Sequence, residues 1–227
     1  LTLIGICTNF FNGFRYAVAG YLLSYCLGGD ITMGSLIINF TVFMGIGEAT
    51  CMIFGGLSPA FTKWIGSKRM AFVWAAVICI ATSVIFFFIP MDRGNMWLMI
   101  LVVILTSVGV GFYSPLLWSM YADVADYATE KNGTSSTGLI FSSGTMAQKF
   151  GGAISGSLIA LLLGAAGLVS ENVIEIDPTT GKEITKTVVT ITNIDSVKNM
   201  IWMLFSIFPA IMAGLMIVLL KLYPIKK

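Results

Sequence analysis

The chain has 227 residues, 57% of them hydrophobic and 11% charged, with a mean hydropathy of +0.91. Soluble domains carry about 25% charged residues, so this composition excludes a water-soluble globule and defines a polytopic membrane protein. The formal charge of +2 gives no reason to expect a nucleic-acid partner, and without any histidine no His-based relay, metal site or triad can be built.

About 20 apolar residues are needed to cross the hydrocarbon core. Six runs qualify: Leu1–Leu27, Leu36–Phe61, Met70–Pro90, Met96–Met120, Gly138–Leu168 and Asn199–Tyr223. The expected fold is therefore an all-α membrane protein of six transmembrane helices. The first run begins at Leu1 with no initiator Met, so the sequence reads as a piece of a longer protein. Cys7, Cys26, Cys51 and Cys79 lie in apolar runs with no CxxC pair, and read as small hydrophobes.

The first run contains Arg15 and the second Glu48, each about 20 Å along its helix from the turn that joins them. Matching depth allows a direct Arg15–Glu48 pair; the alternative is that each charge faces its own aqueous cavity. Gly55-Gly56-Leu-Ser-Pro59 marks a bend near the end of the second run. The third run has no charge and reads as a scaffold or lipid-facing helix. In the fourth, Gly109, Gly111 and Pro115 allow close packing and a kink, which would turn Tyr113 and Trp118 toward one cavity; the alternative is an interfacial aromatic anchor.

Asp123 and Asp126 are three residues apart and share a face if the helix reaches them. At a helix C-terminus they need a positive counterpart. Lys63, Lys68, Arg69 and Lys131 are available, so these acids read as half of a cytoplasmic latch. In the fifth run Ser143, Ala147, Gly151 and Ser155 repeat a small residue every four positions, and Gly152 and Gly156 form a second row, both suited to close helix contact in lipid. Lys149 shares its face with Ser142, Thr145, Gly152 and Gly156. An ammonium group costs roughly 2.5–3.5 kcal/mol at the centre of a membrane helix, so Lys149 implies a partner or a wet cavity.

Residues 170–198 form a long polar connection. Val173–Asp177 and Lys182–Thr192 alternate around Pro178–Gly181, as a small extracellular β-hairpin would. Lys63, Lys68 and Arg69, together with Lys221, Lys226 and Lys227 at the end of the chain, place both termini in the cytoplasm by the positive-inside rule.

Ala122-Asp-Val-Ala-Asp-Tyr127, Lys131, Gly133, Gly138-Leu-Ile-Phe-Ser142 and Gln148-Lys-Phe-Gly151 resemble the glycoside-pentoside-hexuronide:cation symporters, the melibiose-permease-like branch of the major facilitator superfamily. The resemblance is specific over Leu117–Gly167 and looser over the rest, which looks like the C-terminal six helices of a twelve-helix transporter. The chain departs from the pattern at Ser135 and Thr137, where relatives often carry an arginine and a glutamate. It departs again at Ser114, where melibiose permease has a tryptophan.

The resemblance implies a bacterial inner-membrane transporter with alternating access about a midplane sugar site between two six-helix halves. Lys149 falls on the family's functional lysine and Thr145 near the sugar, while the cation-site aspartates belong to the absent N-terminal half. The expected function is symport of a sugar or glycoside with H⁺ or Na⁺, without a cofactor. Lys149, Thr145, Trp118, Tyr113, Arg15 and Glu48 would line the cavity, and Asp123, Asp126, Lys63, Arg69 and Lys131 would form the gate. The partners are the sugar, the coupling cation, the bilayer and the missing half. An enzyme is not expected, since no nucleophile–base pair or metal cluster is present; a channel or structural membrane protein with buried charge pairs is the alternative.

Overall fold

The computed structural model describes residues 1–33, 36–133, 135–176 and 183–223. Ser35, the expected turn at Pro178–Gly181, Lys182, Lys226 and Lys227 lie outside the described residues. The described residues form six α-helices: α1 (Thr2–Tyr21), α2 (Phe40–Ile65), α3 (Lys68–Phe87), α4 (Met96–Asn132), α5 (Thr137–Ala165) and α6 (Ile194–Leu220). Helices α2 to α6 are each long and apolar enough to cross a membrane. Helix α1 reaches a comparable length through a π-helical turn at Leu22–Cys26.

Local chemistry sets the ends. Asn39 starts α2, its side chain accepting from the Val42 N–H at 2.9 Å, so the apolar residues before it join an antiparallel β1 (Ile31–Met33) and β2 (Leu36–Ile38) instead of the helix. Gly133 closes α4 at φ 69°, a left-handed conformation that favours glycine. β3 (Leu168–Ile176) and β4 (Glu183–Ile191) pair antiparallel from Leu168↔Ile191 to Ile176↔Glu183, which is the hairpin the alternation predicted.

Helix α4 differs from expectation. It runs for 37 residues, straight through Pro115, and carries Asp123 and Asp126 inside the helix instead of in a loop. Pro59 likewise lies inside α2. The glycines of α4 act by packing: a Cβ on Gly111 would meet the Cys51 carbonyl at 2.7 Å, and one on Gly109 the Ala75 carbonyl at 2.9 Å. Helices α2 and α3 thus press on α4 from two sides.

The packing has an internal symmetry. Helix α1 packs mainly on α5 and α6, α4 mainly on α2 and α3, and α3 on α6. Exchanging the first three helices for the last three reproduces these contacts, as in a 3+3 repeat. The core has two parts. One gathers around Phe14, Phe43, Met99 and Phe205 toward the hairpin end, the other around Phe11, Phe72, Tyr113 and Met120 toward the end holding Lys63 and Lys68. Beyond Lys68 and Arg69 at its start, α3 carries no charge; it buries Ala71, Phe72, Ala75 and Cys79 and exposes Trp74, Val84 and Ile85, so it is both scaffold and outward-facing surface.

Candidate functional site: the open polar face of the bundle

Helix α5 has two faces. Ala147, Gly151, Ser155 and Ile159 are buried, and α1 closes on them so tightly that a Cβ on Gly151 would meet Asn9 Cβ at 2.6 Å and the Ile6 carbonyl at 2.9 Å. The other face holds Ser142, Thr145, Lys149, Gly152 and Gly156, all exposed. Neither Gly152 nor Gly156 has anything within 4 Å of an added Cβ. Lys149 makes no ion pair or hydrogen bond among the described residues. Thr145 turns its hydroxyl back to the Ser142 carbonyl at 2.9 Å, a bond that a ligand hydroxyl could replace.

Trp118 borders this face. It is half-buried, its ring parallel to Phe141 at 6.2 Å between centroids and tilted on Tyr121 at 5.7 Å. A Cβ on Gly144 would lie 3.3 Å from the Trp118 ring, which sets that indole one residue from Thr145. Tyr113 does not join it. It is 1% exposed, packs on Phe11 and Phe72, and donates its hydroxyl to Asn12 Oδ1 at 3.2 Å. With α4 continuous through Pro115, five residues of helix separate the two side chains by more than a quarter turn, so the expected convergence on one cavity does not occur.

Arg15 and Glu48 are not paired with each other. Arg15 is buried, donates to Ser107 Oγ on α4 at 3.0 Å, and lies over the Phe11 ring at 5.9 Å. Glu48 accepts from the hydroxyl of Tyr16, the next residue along α1. Equal depth is met, but the two side chains leave their helices in different directions. Sequence reading missed Tyr16, Asn12 and Ser107. The spacing Asn9, Asn12, Tyr16 on α1 was the available signal, a polar row at three and four residues.

At the end bearing Lys63, one ion pair of the expected latch forms among the described residues. Lys68 at the start of α3 donates to both Asp123 carboxylate oxygens, at 2.8 and 2.7 Å. Asp126, Lys63 and Arg69 make no ion pair among the described residues, and the Lys131 ammonium sits 5.9 Å from the Tyr127 ring centroid. Beside this bond is a cavity of about 530 Å³ lined by Thr2, Ile4, Tyr121, Ser143 and Tyr223. Burial, followed by the field of Asp123, pushes the Tyr223 phenol up to about 12, so it stays neutral. At the opposite end Arg93 donates from Nε to the Leu27 carbonyl at 2.6 Å and from a terminal nitrogen to the Gly28 carbonyl at 2.9 Å, clamping the end of α1.

The bundle thus has one closed seam and one open polar face, on which Lys149 makes no ion pair among the described residues. The chain belongs to the family described as MFS/sugar transport protein, which it matches over residues 1–227. It is similar to an isoprimeverose transporter of Lactiplantibacillus pentosus, 38% identical over 65 residues, covering 29% of this chain and 14% of the relative. It is also similar to a glucuronide carrier protein homolog of Escherichia coli (strain K12), 28% identical over 117 residues, 52% of this chain and 25% of the relative. The chain therefore aligns with well under two thirds of these relatives' lengths. No solved structure matches it.

Proposed function

We propose that this chain is the C-terminal six-helix half of a secondary transporter that carries a sugar or glycoside together with a cation, H⁺ or Na⁺, by alternating access. One observation carries the reading: in a member of a sugar-transport family, the α5 face with Thr145 and Lys149 is polar, uncrowded and left without a partner by this bundle. A second six-helix half would enclose that face and supply carboxylates opposite Lys149. A charged side chain facing such a wet interior avoids the hydrocarbon penalty.

In this reading Lys149 and Thr145 bind sugar oxygens, and Trp118 offers an indole face to the apolar side of the ring. Lys149 also suits a carboxylate-bearing sugar, in keeping with the glucuronide named for one relative. Tyr113 acts from the core, holding α4 to α1 through Asn12. Asp126, Lys63, Arg69 and Lys131 are left to pair across the two halves, with Lys68–Asp123 as the fixed base of that gate. Both termini lie on the cytoplasmic side of the bacterial inner membrane, the side where Lys63, Lys68 and Arg69 cluster. Coupling arises when cation binding favours the state that binds sugar well, and the linkage is reciprocal.

Lys149→Ala in the intact transporter tests the site. Losing a charge-assisted hydrogen bond of about 1.5–3 kcal/mol lowers coupled uptake at least about tenfold, with membrane insertion retained. Uptake at the unsubstituted rate removes Lys149 from the site.

A further inference from the structure

A groove between α3 and α6, at the end bearing Lys63, lies outside the sugar path. Arg69, Met70 and Val73 line it from α3, and Ile217, Leu220 and Lys221 from α6, around a volume of about 460 Å³. Its floor is apolar and its rim is cationic. Lys68 is spent on Asp123, but neither Arg69 beside it nor Lys221 makes an ion pair among the described residues. No acid lines the groove among those residues. Ser67, also at the rim, precedes α3 without a side-chain capping bond, so its hydroxyl is left to a ligand as well.

Depth says which kind of anion fits. Arg69 stands at the start of α3 and Lys221 just past the end of α6, where both apolar helices leave the hydrocarbon. Next to Arg69, α3 exposes Met70, Trp74 and Val77 at spacings of four and three, which is one outward stripe. Leu215 and Val218 are exposed on α6 near the same end. A soluble anion would leave these side chains uncovered, whereas an anion that carries acyl chains covers them.

We propose that this groove binds an anionic phospholipid, its phosphate held by Arg69 and Lys221 and an acyl chain lying along Met70, Val73 and Ile217. The guanidinium fork matches two phosphate oxygens, and the Lys221 ammonium adds a point charge on a flexible stem. Basic pockets between membrane helices suit such headgroups. The inference goes beyond the transport reading and holds whichever sugar is carried. Arg69 is also one of the charges which that reading leaves to pair across the two halves. A phosphate competes for it, which gives membrane composition a hold on the gate.

The test counts lipids on the intact transporter, purified in detergent, titrated with phosphatidylglycerol or phosphatidylcholine and read by native mass spectrometry. The unsubstituted protein prefers phosphatidylglycerol by at least about tenfold, and Arg69→Gln and Lys221→Gln each lower that preference about fivefold. Lys198→Gln removes the same charge toward the other end of α6 and leaves the preference in place. Lys221 has no part in the gate, so its variant keeps lipid binding apart from gating. An unchanged preference in Lys221→Gln, or an equal loss in Lys198→Gln, overturns the site. Displacement of phosphatidylglycerol by millimolar glycerol phosphate would make a soluble phosphate the ligand and overturn the lipid assignment.

Discussion

The two faces of α5 use the same residue types for opposite ends. On one, Ala147, Gly151 and Ser155 are small so that α1 can approach, and Asn9 and the Ile6 carbonyl fill the space a side chain would need. On the other, Gly152 and Gly156 are small and nothing approaches. Close packing explains the first row. The second row, beside Thr145 and Lys149, makes sense as room for a guest. Glycine spacing alone therefore does not distinguish a seam from a cavity; the neighbouring polar groups do.

Substituting the two rows separates them. Gly151→Val forces a branched side chain against the α1 backbone and costs about 1–3 kcal/mol, read as a lower Tm of the purified protein in detergent. At Gly152 an added Cβ has nothing within 4 Å, so Gly152→Val leaves Tm in place and lowers sugar uptake. Equal loss of stability in both variants would erase the contrast between the faces.

A smaller effect is expected at the Lys68–Asp123 pair. The Lys68–Asp123 bond is partly exposed, with side-chain exposures of 32% and 17%, so its coupling energy is about 1 kcal/mol. A double-mutant cycle with Lys68→Met and Asp123→Asn measures it, and a value of zero would make the bond incidental.

Most of the architecture was legible in the chain because hydropathy and length govern what can cross a membrane. The six apolar runs correspond to six helices, five of them long and apolar enough to cross a membrane where six spans were expected. Where expectation failed, the reason is geometrical. Asp123 and Asp126 lie beyond the apolar run that ends at Met120, but hydropathy marks where a helix leaves the hydrocarbon, not where it ends. Ala122, Ala125, Ala128, Glu130 and Lys131 are good helix formers and carry α4 on to Gly133.

Arg15 and Glu48 show the complementary limit. Counting residues gives depth along a helix, and both were placed at one level. It does not give the direction in which a side chain leaves, and that choice gave Ser107 to Arg15 and Tyr16 to Glu48. The same limit applies to the charges around Asp123. Lys68, at the first turn of α3, reaches Asp123 on α4, while Lys63 and Arg69 make no ion pair among the described residues.

The central claim, that the open face of α5 lines the sugar path, is tested most directly by cysteine labelling in the intact transporter with its native cysteines replaced. Thr145→Cys should react with a hydrophilic thiol reagent and be protected by saturating sugar, while Ala147→Cys, two residues away on the closed face, should stay unreactive. A Thr145→Cys protein that is not labelled, or is labelled equally fast with and without sugar while still transporting it, would contradict the account.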